Sequence, residues 1–503
     1  MSNVIRRQSI ITTAIIFFGF GIGFINNLFF TSSHYFRPDE YGLTRTLFDF
    51  SNLIYAFTFL GGTAIMYKFY PYYENNLKEE DNDLLSWMLV IPLIAFIIFM
   101  FVATAFKGFF IRKFSANSPQ LITYYFWIFP FGFALLIYNL LDGYCNSIKR
   151  TVITNFLKET VLRILTLILI LLFVFKIIGY PVFIKLFSLL YIVLVIILIF
   201  YLRKQGKFHL RLKPSKLTRR LWKKMLPFAI FIFAGTIIST IAATFDSLII
   251  SAKLKDAQAM VAIFTFSTYI SNVIQVPQRS VIAISIPFLS EAWRKKDHER
   301  IQTIYQRSSI NLLLIALFLF GNIWLNYENA ITTLHLNPVY LQGKYVVLLM
   351  GIKILIDMGT GVNGQIIGTS NYWRVEFFTG IFLLLLLIPM NFILVPRIGI
   401  TGAAISSLAA YTGYNIVRLG FLWYKFKMQP FSTKTLLALA LGIITYLIVF
   451  YLNPGLSGWL AIFIKSAFFS LLFVIAVWYL KLTPDFEPIL NTLKKRLGIK
   501  GEA

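Results

Sequence analysis

Fourteen stretches of the chain are apolar over roughly 17 residues or more, the length an α-helix needs to cross a bilayer. They run over 10–30, 41–67, 84–105, 121–144, 155–175, 181–202, 225–252, 260–289, 309–325, 345–367, 377–394, 402–424, 435–452 and 459–480. In hydrocarbon every backbone polar group must find its partner within the protein, and helices of this kind do so. The pattern therefore predicts an all-α integral membrane protein of about fourteen transmembrane helices. Composition excludes the alternatives. Of 503 residues 58% are apolar and only 14% charged, about half the charge of a soluble protein. The 52 Phe, 26 Tyr and 9 Trp exclude a disordered chain.

The formal charge of +26 would, in a soluble chain, point to nucleic acid. Here topology accounts for it. With the N-terminus in the cytoplasm, cytoplasmic segments carry thirty Lys and Arg against nine outside. An even number of spans returns the C-terminus to the same side. The expectation is a multi-pass protein of the bacterial cytoplasmic (inner) membrane, both termini inside and no nucleic-acid partner. Arg6 and Arg7 precede an apolar run too long for a signal peptide, so it reads as the first span. The densest basic run, Arg203 to Lys224, has two readings. It is a surface for anionic lipid head groups, or an inside loop obeying the orientation rule.

Two parts of the chain rhyme at an offset of roughly 215–220 residues. YFRPDEYG between spans 1 and 2 parallels SAKLKDAQ between spans 7 and 8, and KIIGYPVF parallels PRIGITGA. The predicted organisation is an N-lobe of six helices (1–203), a basic cytoplasmic linker (204–224) and a C-lobe of six helices (225–428). Two further helices (429–482) and a cytoplasmic tail (483–503) follow. Six spans per lobe give both the same orientation, hence a pseudo-two-fold axis along the membrane normal. Two such lobes facing one cleft suit alternating access.

Chemistry of the usual enzymatic kinds is missing. There is no phosphate loop, His-Glu-x-x-His, Cys-x-x-Cys or Gly-x-Ser-x-Gly, and four scattered histidines offer no metal spacing. Cys145 is the sole cysteine, which excludes an intrachain disulfide. The outside loops are short. These absences favour a transporter over an enzyme, with no cofactor beyond coupling to an H+ or Na+ gradient or to the membrane potential.

The informative charges lie inside spans, where each costs about 2.5–3.5 kcal/mol at a helix centre. Three acid–base pairs sit at i, i+4 and share a helix face: Arg45 with Asp49, Glu159 with Arg163, and Lys353 with Asp357. Such a pair is either internal neutralisation or a cation facing a hydrated cavity with the acid as its resting counter-ion. Glu159–Arg163 is read as structural. Lys353–Asp357 is followed by GTGVNGQIIG, a small polar run that permits close helix approach or a local break and contains Asn363. Arg279 follows Pro277 and Gln278 with no acid one turn away, which makes it the leading anion ligand. Arg418, Asp142 and Glu376 are expected to reach the interface near the inner ends. Asp246 is a cation or proton site, or a partner for Arg279. Gly19, Gly21 and Gly23 of span 1 suit tight packing.

RPDEYGLTRTLFDFSNLIYAFTFLGGTAIMYKF (37–69), the segment from Leu226 to Trp293, and NFILVPRIGITGAAISSLAAYTGYNIVRLGFLWYKF (391–426) together resemble bacterial polysaccharide flippases of the MOP superfamily. That superfamily also holds lipid II flippases and MATE cation exporters. The resemblance implies a flippase for undecaprenyl-pyrophosphate-linked glycans, with arginines in a central cavity holding the pyrophosphate. It implies Arg45 and Arg279 as substrate contacts, to which the reading of the buried charges and polar runs adds Lys353, Gln278 and Asn363. Asp49, Asp246 and Asp357 would be coupling or counter-ion groups. Expected partners are the lipid-linked anionic glycan, membrane lipids and polysaccharide assembly enzymes, around a monomeric transporter. Span 1 lacks the basic residues of lipid II flippases, which favours the general polysaccharide group. A MATE-like antiporter needs an acid-dominated cavity, and a membrane glycosyltransferase or polymerase needs long outside loops with catalytic acids.

Overall fold

The structure, a computed structural model, describes residues 2–452 and 457–485. All regular elements among them are helical, as the apolar runs require. Contacts divide the chain into two compact units, Met1–Ala262 and Ile263–Ala503.

The first unit opens with α1 (Ser2–Thr31). Next come α2 (Pro38–Thr58) and α3 (Gly62–Asn76), one passage broken where Leu60 and Gly61 take positive φ. α4 (Leu84–Ala105), α5 (Lys107–Phe114), α6 (Pro119–Thr123) and α7 (Ile128–Ser147) follow. α8 (Thr151–Phe156) runs through a π-turn at Leu157–Val161 into α9 (Leu162–Val174), and α10 (Tyr180–Lys204) and α11 (Lys216–Lys253) complete the set. α12 (Ala257–Asn272) begins in this unit.

The second unit holds α13 (Val276–Lys295), α14 (His298–Thr333), α15 (Lys344–Gly359) and the short α16 (Asn363–Thr369). α17 (Trp373–Phe426) is two helices joined at a kink, where Ile398 and Gly399 leave helical geometry. α18 (Thr433–Leu452) and α19 (Gly458–Tyr479) finish the described chain.

Ten helical runs among the described residues are long and apolar enough to cross a bilayer. α17 contains two passages, and α1, α2–α3 and α8–α9 provide three more, so the passages match the fourteen expected. The linker is shorter than the basic run suggested. Residues 216–224 form the first turns of α11, capped by Ser215, whose side chain accepts from the Thr218 amide.

Small side chains set the packing. A Cβ on Gly19 would lie 2.0 Å from the Glu159 carbonyl oxygen, and one on Gly23 would lie 3.1 Å from the Arg163 guanidinium. Two of the three glycines of α1 thus seat it against the π-turn and α9; Gly21 meets nothing. A Cβ on Gly42 would lie 1.7 Å from the Gln258 carbonyl oxygen, so α2 touches the first turn of α12 backbone to backbone. Beside that contact the Thr46 hydroxyl donates to Gln258 Oε1 at 2.8 Å and lies 3.2 Å from Ser251 Oγ, all buried.

The acidic loop after α3 meets the basic segment before α11. Glu79 pairs with Lys207 and Asp81 with Arg211. The fully buried Asp83 accepts from the Ser215 amide at 2.8 Å and the Thr218 hydroxyl at 2.7 Å. Part of the basic run is therefore held by protein acids.

Candidate functional site

In the second unit, polar side chains from α13 and the turn before it, from the α15–α16 break and from the second arm of α17 gather around Asp357. The glycine-rich run after Asp357 does break the helix: α15 ends at Gly359, Gly361 has φ 65°, and α16 starts at Asn363. Asp357 Oδ2 accepts from Gln278 Nε2 at 3.1 Å and Gln275 Nε2 at 3.5 Å. Its Oδ1 accepts from Asn415 Nδ2 at 3.2 Å. Asn415 Oδ1 accepts in turn from Asn363 Nδ2 at 2.9 Å and the Thr360 hydroxyl at 3.1 Å.

The network continues to a second acid. Arg418 Nη1 donates to Asn363 Oδ1 at 3.4 Å, and Nη2 pairs with Glu376. The guanidinium stacks 3.7 Å from the Tyr414 ring centroid, and the Tyr414 hydroxyl donates to Glu376 at 3.2 Å. Helix periodicity explains the α17 side. Tyr411, Tyr414, Asn415 and Arg418 fall at i, i+3, i+4 and i+7, one face of the second arm. Gly364 makes the room, since a Cβ there would lie 2.9 Å from Arg418 Nη2.

The sequence reading of Arg418 and Glu376 needs correction. They were expected to reach the interface; instead Arg418 is buried, 8% exposed, and Glu376 is its partner. The reason is tertiary: the kink at 398–399 folds the two arms of α17 so that an acid and a base 42 positions apart meet. A solitary span would have driven both to the surface.

Of the other expected residues, Gln278, Asn363 and Asp357 are brought together as described. Lys353 places its ammonium 4.7 Å from the Tyr411 ring centroid, beside the same α17 face. Arg279, next to Gln278, is exposed and has no ion-pair or hydrogen-bond partner among the described residues. The remaining expected residues lie in the first unit. Arg45 lies 5.1 Å from the Tyr41 ring centroid and faces Asp49, whose carboxylate accepts from Ser247. Glu159 and Arg163 pair at 2.7 Å, as their spacing predicts. Asp246 is buried on α11.

Chemically, the cluster offers two carboxylates, one buried guanidinium and several neutral donors, with the Lys353 ammonium beside it. Arg279 is an exposed cation in the first turn of α13, next to the cluster's Gln278. On another face of α13, Pro277 and Val281 join Leu314, Phe318 and Phe473 around an apolar groove of about 560 Å³.

Residues 5–293 match the profile of the polysaccharide biosynthesis protein family. This chain belongs to that family. An uncharacterized membrane protein of Methanocaldococcus jannaschii is 20% identical over 475 residues, 91% of this chain and 92% of that one. Among solved structures, the lipid II flippase MurJ in an inward closed conformation superposes with a TM-score of 0.73. It is 14% identical, covering 94% of this chain and 99% of its own. A multidrug-resistance MATE transporter of the MOP superfamily, inward-facing, gives 0.63 at 15% identity, covering 83% and 97%. The family member described here therefore has the fold of MOP-superfamily transporters.

Asn415, Thr360 and Gln275 were not singled out from the sequence. A signal existed for Asn415: a polar stripe at helical spacing inside an apolar span must face protein or water.

Proposed function

We propose that the protein is a flippase that moves an undecaprenyl-pyrophosphate-linked oligosaccharide from the inner to the outer leaflet by alternating access, supplying surface polysaccharide assembly. The observation that carries this reading is the exposed Arg279, left without a counter-ion beside a cluster whose acids are already engaged. Arginine binds phosphate through paired, charge-assisted hydrogen bonds. Family membership sets the context, and the apolar groove on α13 suits part of an isoprenoid chain. An inside-negative potential favours outward movement of an anion by about 2.3 kcal/mol per charge per 100 mV. Asp357 is the coupling candidate for H+ or Na+, and Arg45 and Lys353 are further head-group contacts. The protein acts as a monomer in the cytoplasmic membrane, both termini inside, without a cofactor and next to polysaccharide assembly enzymes.

A cation exporter would need acids presented to its cargo. Asp357 instead accepts from three amides, and Glu376 is held by Arg418. The test is Arg279→Ala in a strain lacking its own flippase. Glycan display should be abolished while the variant still inserts to normal levels. Full complementation removes Arg279 as the ligand, and efflux of cationic dyes by wild-type protein with no effect on glycan display supports the exporter instead.

A further inference from the structure

A second apolar groove lies in the first unit, at the end of α11 that carries the basic run. Ile65 of α3, Met88 and Pro92 of α4, and Trp222, Leu226 and Ile230 of α11 line an open apolar groove of about 130 Å³. These helix ends are registered by hydrogen bonds: Tyr73 to Thr218 at 2.8 Å, and Thr218 to Asp83 at 2.7 Å. The groove therefore opens just below the polar edge of the helices, where an acyl chain meets its head group. Arg219 and Lys223 sit on the same face of α11 as the groove, since 219, 222, 223, 226 and 230 follow helical spacing.

Two of the ten cations of the basic run have a protein acid beside them, and of the others Arg219 and Lys223 share the face of the groove. Lys207 and Arg211 are neutralised by Glu79 and Asp81. Arg219 and Lys223 are exposed and have no ion-pair partner among the described residues. Trp222 lies between them, 43% exposed, a residue type that favours the head-group level. Two unengaged cations flanking an aromatic anchor, directly above an apolar groove, are complementary to a molecule with an anionic head and an aliphatic chain. An orientation rule alone requires neither the groove nor the alignment of the cations with it.

We propose that this groove binds one anionic glycerophospholipid of the surrounding leaflet, its phosphate between Arg219 and Lys223 and an acyl chain against Ile65, Pro92, Leu226 and Ile230. Such a lipid braces α11 against α3 and α4 and makes the protein responsive to membrane composition. It is separate from the flipped substrate.

The test uses full-length protein purified in detergent, with bound lipid counted by native mass spectrometry after titration with phosphatidylglycerol or phosphatidylcholine. Wild type should retain one phosphatidylglycerol, with phosphatidylcholine held far more weakly. R219Q/K223Q should weaken that retention by about tenfold or more, as loss of two surface cations implies. I230W, which fills the groove from an exposed position, should do the same with both cations present. K253Q/K255Q, the same charge change at the other end of α11, should leave it unchanged. Unchanged retention in R219Q/K223Q, equal retention of phosphatidylcholine, or an equal loss in K253Q/K255Q overturns the site. Retention that survives I230W reduces it to surface attraction and also overturns the groove. Displacement of phosphatidylglycerol by equimolar undecaprenyl pyrophosphate gives the groove to the transported lipid and overturns the proposal.

Discussion

Arg418 and Glu376 join the two arms of α17 across its kink, a buried guanidinium closing onto a carboxylate 42 residues earlier in the same helix. Removing one partner leaves the other partly buried and uncompensated. Glu376 keeps about a third of its side chain exposed, which moderates the penalty. Arg418→Met should lower stability by about 2–3 kcal/mol, and Arg418→Met with Glu376→Leu should recover most of it. Thermal unfolding in detergent checks both. A double variant no better than the single one removes the pair as the reason.

The Gly42 contact with Gln258 leaves no space for a methyl group. Gly42→Ala must push α2 away from the first turn of α12 or distort one of them, a cost of about 1–3 kcal/mol. Thr46→Val, which removes only the hydroxyl between Gln258 and Ser251, should cost about 1 kcal/mol. Melting curves of both variants give the order, and a milder effect for Gly42→Ala contradicts the backbone contact.

Asp83 ties the segment before α11 to the loop before α4. Asp83→Ala strands the Ser215 amide and the Thr218 hydroxyl, a loss of about 1–2 kcal/mol. The expected readout is local: trypsin should cut at Arg211 and Lys216 several-fold faster in native-state digestion. Glu79→Gln, which removes only an exposed ion pair, should change the cleavage rate little.

Glu291 lies at the outer surface of α13's last turns, where it accepts from Lys295 at 2.6 Å and also faces Arg300. The hydrogen bond from Lys295, then the charges of Lys295 and Arg300, hold its carboxyl below the ordinary 4.5. A lowered folded value means that the stabilisation is present above pH 4.5 and disappears as pH falls through the folded value. Carboxyl NMR of glutamate-labelled protein should show a midpoint below 4.5 that rises in Lys295→Met. A midpoint that ignores Lys295→Met contradicts this cause.

Hydropathy is a property of each segment by itself, because every span must enter the bilayer on its own apolar content. The sequence alone therefore determined that the chain is helical and that it crosses the membrane in fourteen passages. It also determined the local pair Glu159–Arg163, since i, i+4 neighbours meet in any helix. Only the tertiary structure decided which polar side chains share a site. Asp357 is bound by Gln275 and Gln278, which lie about eighty positions earlier, and by Asn415, 58 positions later. Arg418 turned inward because the kink of α17 supplied Glu376 and because Gly364 left space for it. Buried charge is tolerated only where partners converge from several helices, and no one-dimensional pattern records that convergence.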